Sequence, residues 1–175
     1  MQALTEFFRL LQAFLDQGGV LMYVIAALTL WMWALVFERV IYYRGSLKSD
    51  IQQELNKWEA RKERKSWNAH QIRGAMVSRM DAVITNKLDL IGALVALCPL
   101  MGLMGTVTGM IEVFSVLASS GGSDAKSMAG GVSKATIPTM AGMVAAISGV
   151  FAHTYLTRVA DNEKSLFADH LTMDH

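Results

Sequence analysis

Two threonines and a set of glycines stand inside the longest uncharged stretches of the chain. Thr106 lies in Pro99-Leu-Met-Gly-Leu-Met-Gly-Thr-Val-Thr-Gly-Met110, within the uncharged run from Leu90 to Ile111 that Asp89 and Glu112 bracket. Thr139 lies in the uncharged run from Ala135 to Thr157, between Lys134 and Arg158. A hydroxyl donates one hydrogen bond and accepts two, so it can relay a proton through hydrogen bonds or water but cannot carry the charge itself. At such a position it either bonds its own helix or faces a polar path, and the residues alone leave both open. Counted from Glu112 and Lys134, both threonines fall roughly 8 Å inward at about 1.5 Å per residue, which predicts one shared depth.

The remaining candidates are sparse. Gly102, Gly105 and Gly109 gain nothing against lipid and point to close approach of a second helix; Gly105-xxx-Gly109 is a small-xxx-small spacing. Ala135, Thr139, Gly142, Ala146, Gly149 and His153 recur at steps of three, four or seven on the later run, the same packing signal. Pro99 and Pro138 predict kinks without unwinding. Glu112 and Lys134 flank the two runs, where an isolated charge is costly, and are candidates for an ion pair. His153 is the one titratable side chain deep in the later run; it either packs neutral or borders an exit path. Cys98 is the only cysteine and reads as a small buried packing residue.

These residues need three spans to position them, each long enough to cross a hydrocarbon core at roughly 20 residues. The first runs from Gly18 to about Arg44, with Tyr42, Tyr43 and Arg44 as an interfacial belt, Arg39 expected to snorkel toward headgroups and Glu38 paired nearby. Residues 1–17 predict an amphipathic interfacial helix ended by Gly18-Gly19, and no cleavable leader is expected. Residues 45–88 form a helical loop, 89–117 the second span, 118–130 a turn, 131–158 the third span and 159–175 a tail with a short helical continuation. In the loop, Ile51, Leu55 and Trp58 share one face, as do Ile72, Met76 and the group Val77, Met80, Val83 and Ile84. From Arg44 to Leu88 ten of the sixteen basic residues stand against five acids. That excess places this loop in the cytoplasm, the amino terminus outside and the carboxyl terminus inside.

Composition excludes several classes. The chain of 175 residues is 53% hydrophobic and 18% charged, below the roughly 25% charged residues of soluble domains. Its net charge of +1 and the short basic turn Arg61-Lys-Glu-Arg-Lys65 give no nucleic-acid surface. No nucleophile and base, phosphate loop or metal-spaced cluster is present, and His70, His153, His170 and His175 are too scattered for a site. An enzyme, a cofactor and a metal are not expected; an inverted-repeat transporter is disfavoured.

Gly102-Leu-Met-Gly-Thr-Val-Thr-Gly109, followed by Gly131-Val-Ser-Lys-Ala-Thr-Ile-Pro-Thr-Met-Ala-Gly-Met-Val-Ala-Ala146, resembles the two signature segments of the MotA/TolQ/ExbB proton-channel family. Chain length and the Glu38-Arg39 end of the first span resemble its short ExbB members. The resemblance implies an all-α integral membrane protein, a pentamer in the bacterial inner membrane whose second and third spans line a pore. It implies an ExbD-like partner with one span and an intramembrane Asp, and a TonB-like protein that passes force to outer-membrane receptors for iron carriers. By motif position it makes Thr106 and Thr139 pore-lining, with Gly102, Gly105, Gly109, Pro99, Pro138, Gly142 and Ala146 in pore or packing roles. Lys134 stands where many relatives carry Glu, so it cannot inherit a carboxylate's relay role. A TolQ-like envelope motor and a passive helical scaffold are the alternatives.

Overall fold

Side chains that must be hidden set the helix boundaries more firmly than the uncharged runs do. The computed structural model describes residues 2–61, 63, 66–120 and 125–171. Among them six helices follow in order: α1 (Gln2–Gln17), α2 (Gly19–Arg44), α3 (Ser46–Glu59), α4 (Trp67–Thr85), α5 (Leu88–Ser120) and α6 (Ala125–His170). No strand occurs among the described residues. Three helical stretches are long and apolar enough to cross a membrane, and the chain is a multi-pass membrane protein. Gly19 takes φ +67° between α1 and α2, a conformation that a side chain would oppose.

Two expected boundaries move. The expected turn at 118–130 is shorter, since α5 continues to Ser120 and α6 begins at Ala125. Ala125, Lys126, Met128 and Ala129 favour helix strongly enough to carry it through the neighbouring Ser and Gly. The centre of that turn, 121–124, lies outside the described residues, as do His175 and most of the basic turn after Arg61. The tail beyond Arg158 is the uninterrupted end of α6, because buried Leu156, Ala160 and Phe167 extend one apolar stripe. Both prolines lie inside continuous helices.

The chain forms two compact units. One comprises Met1–Trp33 and Ala93–Val150. Its interior holds Met22, Ile25 and Met32 of α2, Val95 and Cys98 of α5, and Ala145 and Ala146 of α6, with Leu28 packed beside Cys98. Cys98 is fully buried, as expected of a packing residue.

The other unit comprises Ala34–Gly92 and Phe151–His175. Leu47, Trp58, Ile84, Ile91, Leu156, Phe167 and Leu171 are its largest fully buried side chains. Ser66 caps α4 by accepting from the amide of Ala69 at 3.3 Å, which satisfies one donor that the helix start leaves open. Lys87 (φ 66°) separates α4 from α5. Arg73 of α4 donates from Nε to the Leu171 carbonyl and from a terminal nitrogen to that of Ala168, both at 2.8 Å. These bonds satisfy carbonyls that the end of α6 leaves open. Tyr43 donates its hydroxyl to the Ile84 carbonyl at 2.7 Å, and Lys164 pairs with Asp81. Val83, grouped by periodicity with the buried face of α4, is exposed, because Met80 and Ile84 already occupy that face.

Glu38 pairs with Lys87. Arg39 departs from expectation. Only 5% of it is exposed, and its guanidinium lies 5.3 Å from the centre of the Tyr42 ring. The guanidinium meets an aromatic face of its own helix and does not reach outward.

Candidate functional site

The glycines of α5 form sockets for α6 within one chain. A Cβ built on Gly102 would lie 2.9 Å from the Pro138 carbonyl oxygen and from Thr139 Cα; one on Gly105 would lie 2.5 Å from Pro138 Cβ. Gly109 would overlap Ala135, and Gly131 would overlap Val113. On the facing helix, a Cβ on Gly142 would come 2.5 Å from the Cys98 carbonyl oxygen and 3.2 Å from Gly102 Cα. These separations require backbones closer than any side chain permits, the condition that small residues create between apolar helices. Gly149 extends the contact to α2, where Met32 Sδ would be 2.6 Å away. Ala146 is buried in the same region, Pro138 fills the Gly105 socket, and Pro99 is half-buried.

Thr139 donates its hydroxyl to the Gly102 carbonyl across this interface, at 2.7 Å. In the α-helical pattern the Gly102 carbonyl also accepts the amide of Thr106, four residues on. The Thr139 hydroxyl therefore shares this carbonyl oxygen with the backbone amide of Thr106. Thr106 turns its own hydroxyl back to the Leu103 carbonyl at 2.8 Å. Each donor is committed to backbone, while each hydroxyl oxygen keeps a lone pair able to accept. Chemically the pair is an acceptor surface: it can receive a hydrogen bond from water or from a protonated carboxyl group.

Their depths lie within one helical turn of each other. Ala135 opposes Gly109, Pro138 opposes Gly105 and Thr139 opposes Gly102. Counted from these three contacts in turn, Thr139 falls one, two or four residues from the level of Thr106, about 2–6 Å. Glu112 and Lys134 are not matching rulers. Lys134 falls one residue beyond Ala135 and Glu112 three beyond Gly109, so the ends of the two uncharged runs are not opposite each other.

Glu112 and Lys134 line one cavity of about 810 Å³ without forming an ion pair with each other. Thr108, which sequence reasoning misses, lines it as well; its hydroxyl is shared between the carbonyls of Met104 at 3.0 Å and Gly105 at 3.2 Å. The signal for Thr108 is its place one turn before Glu112. In the other unit, His153 faces Gly92, where a Cβ would lie 3.2 Å from its Nε2. Among the described residues no group of His, Cys, Asp and Glu is arranged to hold a metal.

The family model of the MotA/TolQ/ExbB proton channel family matches residues 44–169. The chain belongs to this family. The match takes in α3, α4, α5 and nearly all of α6, and so includes both threonines and every α5–α6 glycine socket described above. Among curated proteins, the putative biopolymer transport protein ExbB-like 1 of Synechocystis sp. is 38% identical over 82 residues, covering 45% of this chain and 32% of that protein. The biopolymer transport protein ExbB of Helicobacter pylori is 32% identical over 85 residues, covering 49% of this chain and 59% of its own length. ExbB-like 3 of Synechocystis sp. is 35% identical over 74 residues, covering 38% and 35%. The matches thus span between a third and three fifths of these relatives. Family membership supports a subunit of a proton channel in a membrane.

Proposed function

We propose that this protein is an ExbB-like stator subunit of a proton-driven motor in the bacterial inner membrane. With an ExbD-like single-span partner it uses the proton-motive force to energise TonB-dependent uptake across the outer membrane. The observation that carries the reading is the pair of threonines joined at the Gly102 carbonyl, set in a family of proton channels. The apolar runs 90–111 and 135–157 contain no carboxylate, so the titrating acid comes from the partner, whose Asp would donate to the threonine oxygens when protonated. In this reading Thr106 and Thr139 line the pore of a homopentamer, within one helical turn of each other in depth. Gly102, Gly105, Gly109, Gly142 and Ala146 hold α5 and α6 together, and His153 borders the exit.

The topology follows the charge distribution: amino terminus outside, 1–17 at the interface, spans at 18–44, 89–117 and 131–158, basic loop and tail in the cytoplasm. The relatives' ExbB names favour this branch over a TolQ-like one. One observation favours a second reading. Both hydroxyls donate to backbone, as they would in a passive scaffold in which the threonines only pack.

Valine at each position separates the two. Thr106→Val and Thr139→Val keep the shape and remove the oxygen, so the motor reading expects complexes that assemble but lose proton-coupled uptake. Full uptake in both variants would leave only the scaffold.

A further inference from the structure

The cavity beside Glu112 and Lys134 belongs to the unit holding the threonine pair, and neither threonine lines it. It is lined by the start of α2, the later part of α5 and the first part of α6 up to Pro138, with Leu21, Val113, Leu117 and Pro138 among its walls. Its volume of about 810 Å³ falls within the roughly 300–1,000 Å³ of pockets that hold small molecules. Two opposite charges stand on its wall, both exposed, and neither has an ion-pair partner among the described residues. The helical register sets Glu112 about 3 Å further along the bundle than Lys134. Lys134 also borders a smaller cavity that carries Asp16, but that carboxylate already accepts the Tyr23 hydroxyl at 2.7 Å.

We propose that this cavity binds one zwitterionic phospholipid, with its phosphate on Lys134 and its ammonium on Glu112. Both residues end uncharged helical runs, which puts them at headgroup level when those runs cross a bilayer. An acyl chain lying against Leu21, Val113 and Leu117 leaves one hydrocarbon environment for another and gains little by the move. The headgroup therefore decides which lipid stays. A phosphoethanolamine group carries both charges that the wall lacks partners for. A phosphoglycerol group carries the anion alone and leaves Glu112 beside a phosphate without a counter-charge. This inference needs only that the helices cross a bilayer, and it is independent of the proton path.

The test uses the full chain in its native membrane complex, delipidated gently and titrated with phosphatidylethanolamine or phosphatidylglycerol, with retained lipid counted by native mass spectrometry. The wild type is expected to retain phosphatidylethanolamine about fivefold better, the ratio one partly exposed ion pair supplies at the upper end of its range. Glu112→Gln should abolish or invert that preference, and Lys134→Gln should lower retention of both lipids. Leu117→Trp, which fills the cavity and leaves both charges in place, should also lower both, so the inference remains testable if a charge variant fails to assemble. Equal retention of the two lipids by the wild type would overturn it. So would a photo-crosslinker at Leu117 that captures a neighbouring protein chain and no lipid.

Discussion

Gly142→Ala probes the α5–α6 contact at the point where nothing can yield. The added methyl would stand 2.5 Å from the Cys98 carbonyl oxygen, against the 3.4 Å at which ordinary contact begins, and its neighbours are backbone atoms. The helices must part by about 0.9 Å, which would stretch the Thr139 to Gly102 hydrogen bond from 2.7 Å to about 3.6 Å, beyond bonding distance. Overpacking costs ~1–3 kcal/mol and the lost bond ~1 kcal/mol, while alanine returns ~1 kcal/mol through its higher helix propensity. The net expectation is destabilisation by about 1–3 kcal/mol. The comparison is Gly74→Ala on α4, where no atom lies within 4 Å of the new methyl. That variant should gain about 0.5–1 kcal/mol. Reversible unfolding of the purified protein in mixed micelles measures both. If Gly142→Ala is as stable as Gly74→Ala, the two helices are not in backbone contact and the threonine junction loses its support.

Three further outcomes follow from single contacts. Arg73→Ala removes two charge-assisted bonds to the end of α6. It should destabilise by about 1.5–3 kcal/mol, with early hydrogen exchange near Ala168 as its local signature. Tyr43→Phe deprives the Ile84 carbonyl of its donor and should cost roughly 1 kcal/mol in the same unfolding assay, with the fold unchanged. Solvent screens the partly exposed Glu38–Lys87 pair, so Glu38→Gln should be nearly neutral in the same unfolding assay, and any effect should vanish at high salt.

The three spans and the basic loop are legible because length and charge determine them directly. Charges at Asp89, Glu112, Lys134 and Arg158 cannot sit in hydrocarbon unpaired at small cost, so they bound the runs. Gly102, Gly105 and Gly109 are legible as a close-packing face, and α6 lies on that face. The register between helices is not legible. It depends on which small residue meets which socket, Ala135 at Gly109 or Pro138 at Gly105, and no single helix contains that information. The offset of about 3 Å between Glu112 and Lys134 follows from it. The burial of Arg39 is likewise not legible, because the charge pattern that suggests an outward guanidinium does not show that it packs on the Tyr42 ring. The hydroxyl acceptors of the site are equally hidden, because periodicity shows where Thr106 and Thr139 stand but not that they share a carbonyl.

Proton conduction tests the central claim most directly. The complex, purified with its native partner and reconstituted in liposomes, is placed under an imposed proton gradient and potential, and internal acidification is followed for wild type and Thr139→Val. The account predicts conduction by the wild type and a fall of roughly tenfold or more in the variant, equivalent to ~1.4 kcal/mol of added barrier, with the mass of the complex changed only by the substitution. Equal conduction by an intact Thr139→Val complex, or none by the wild type with its partner bound, would contradict it.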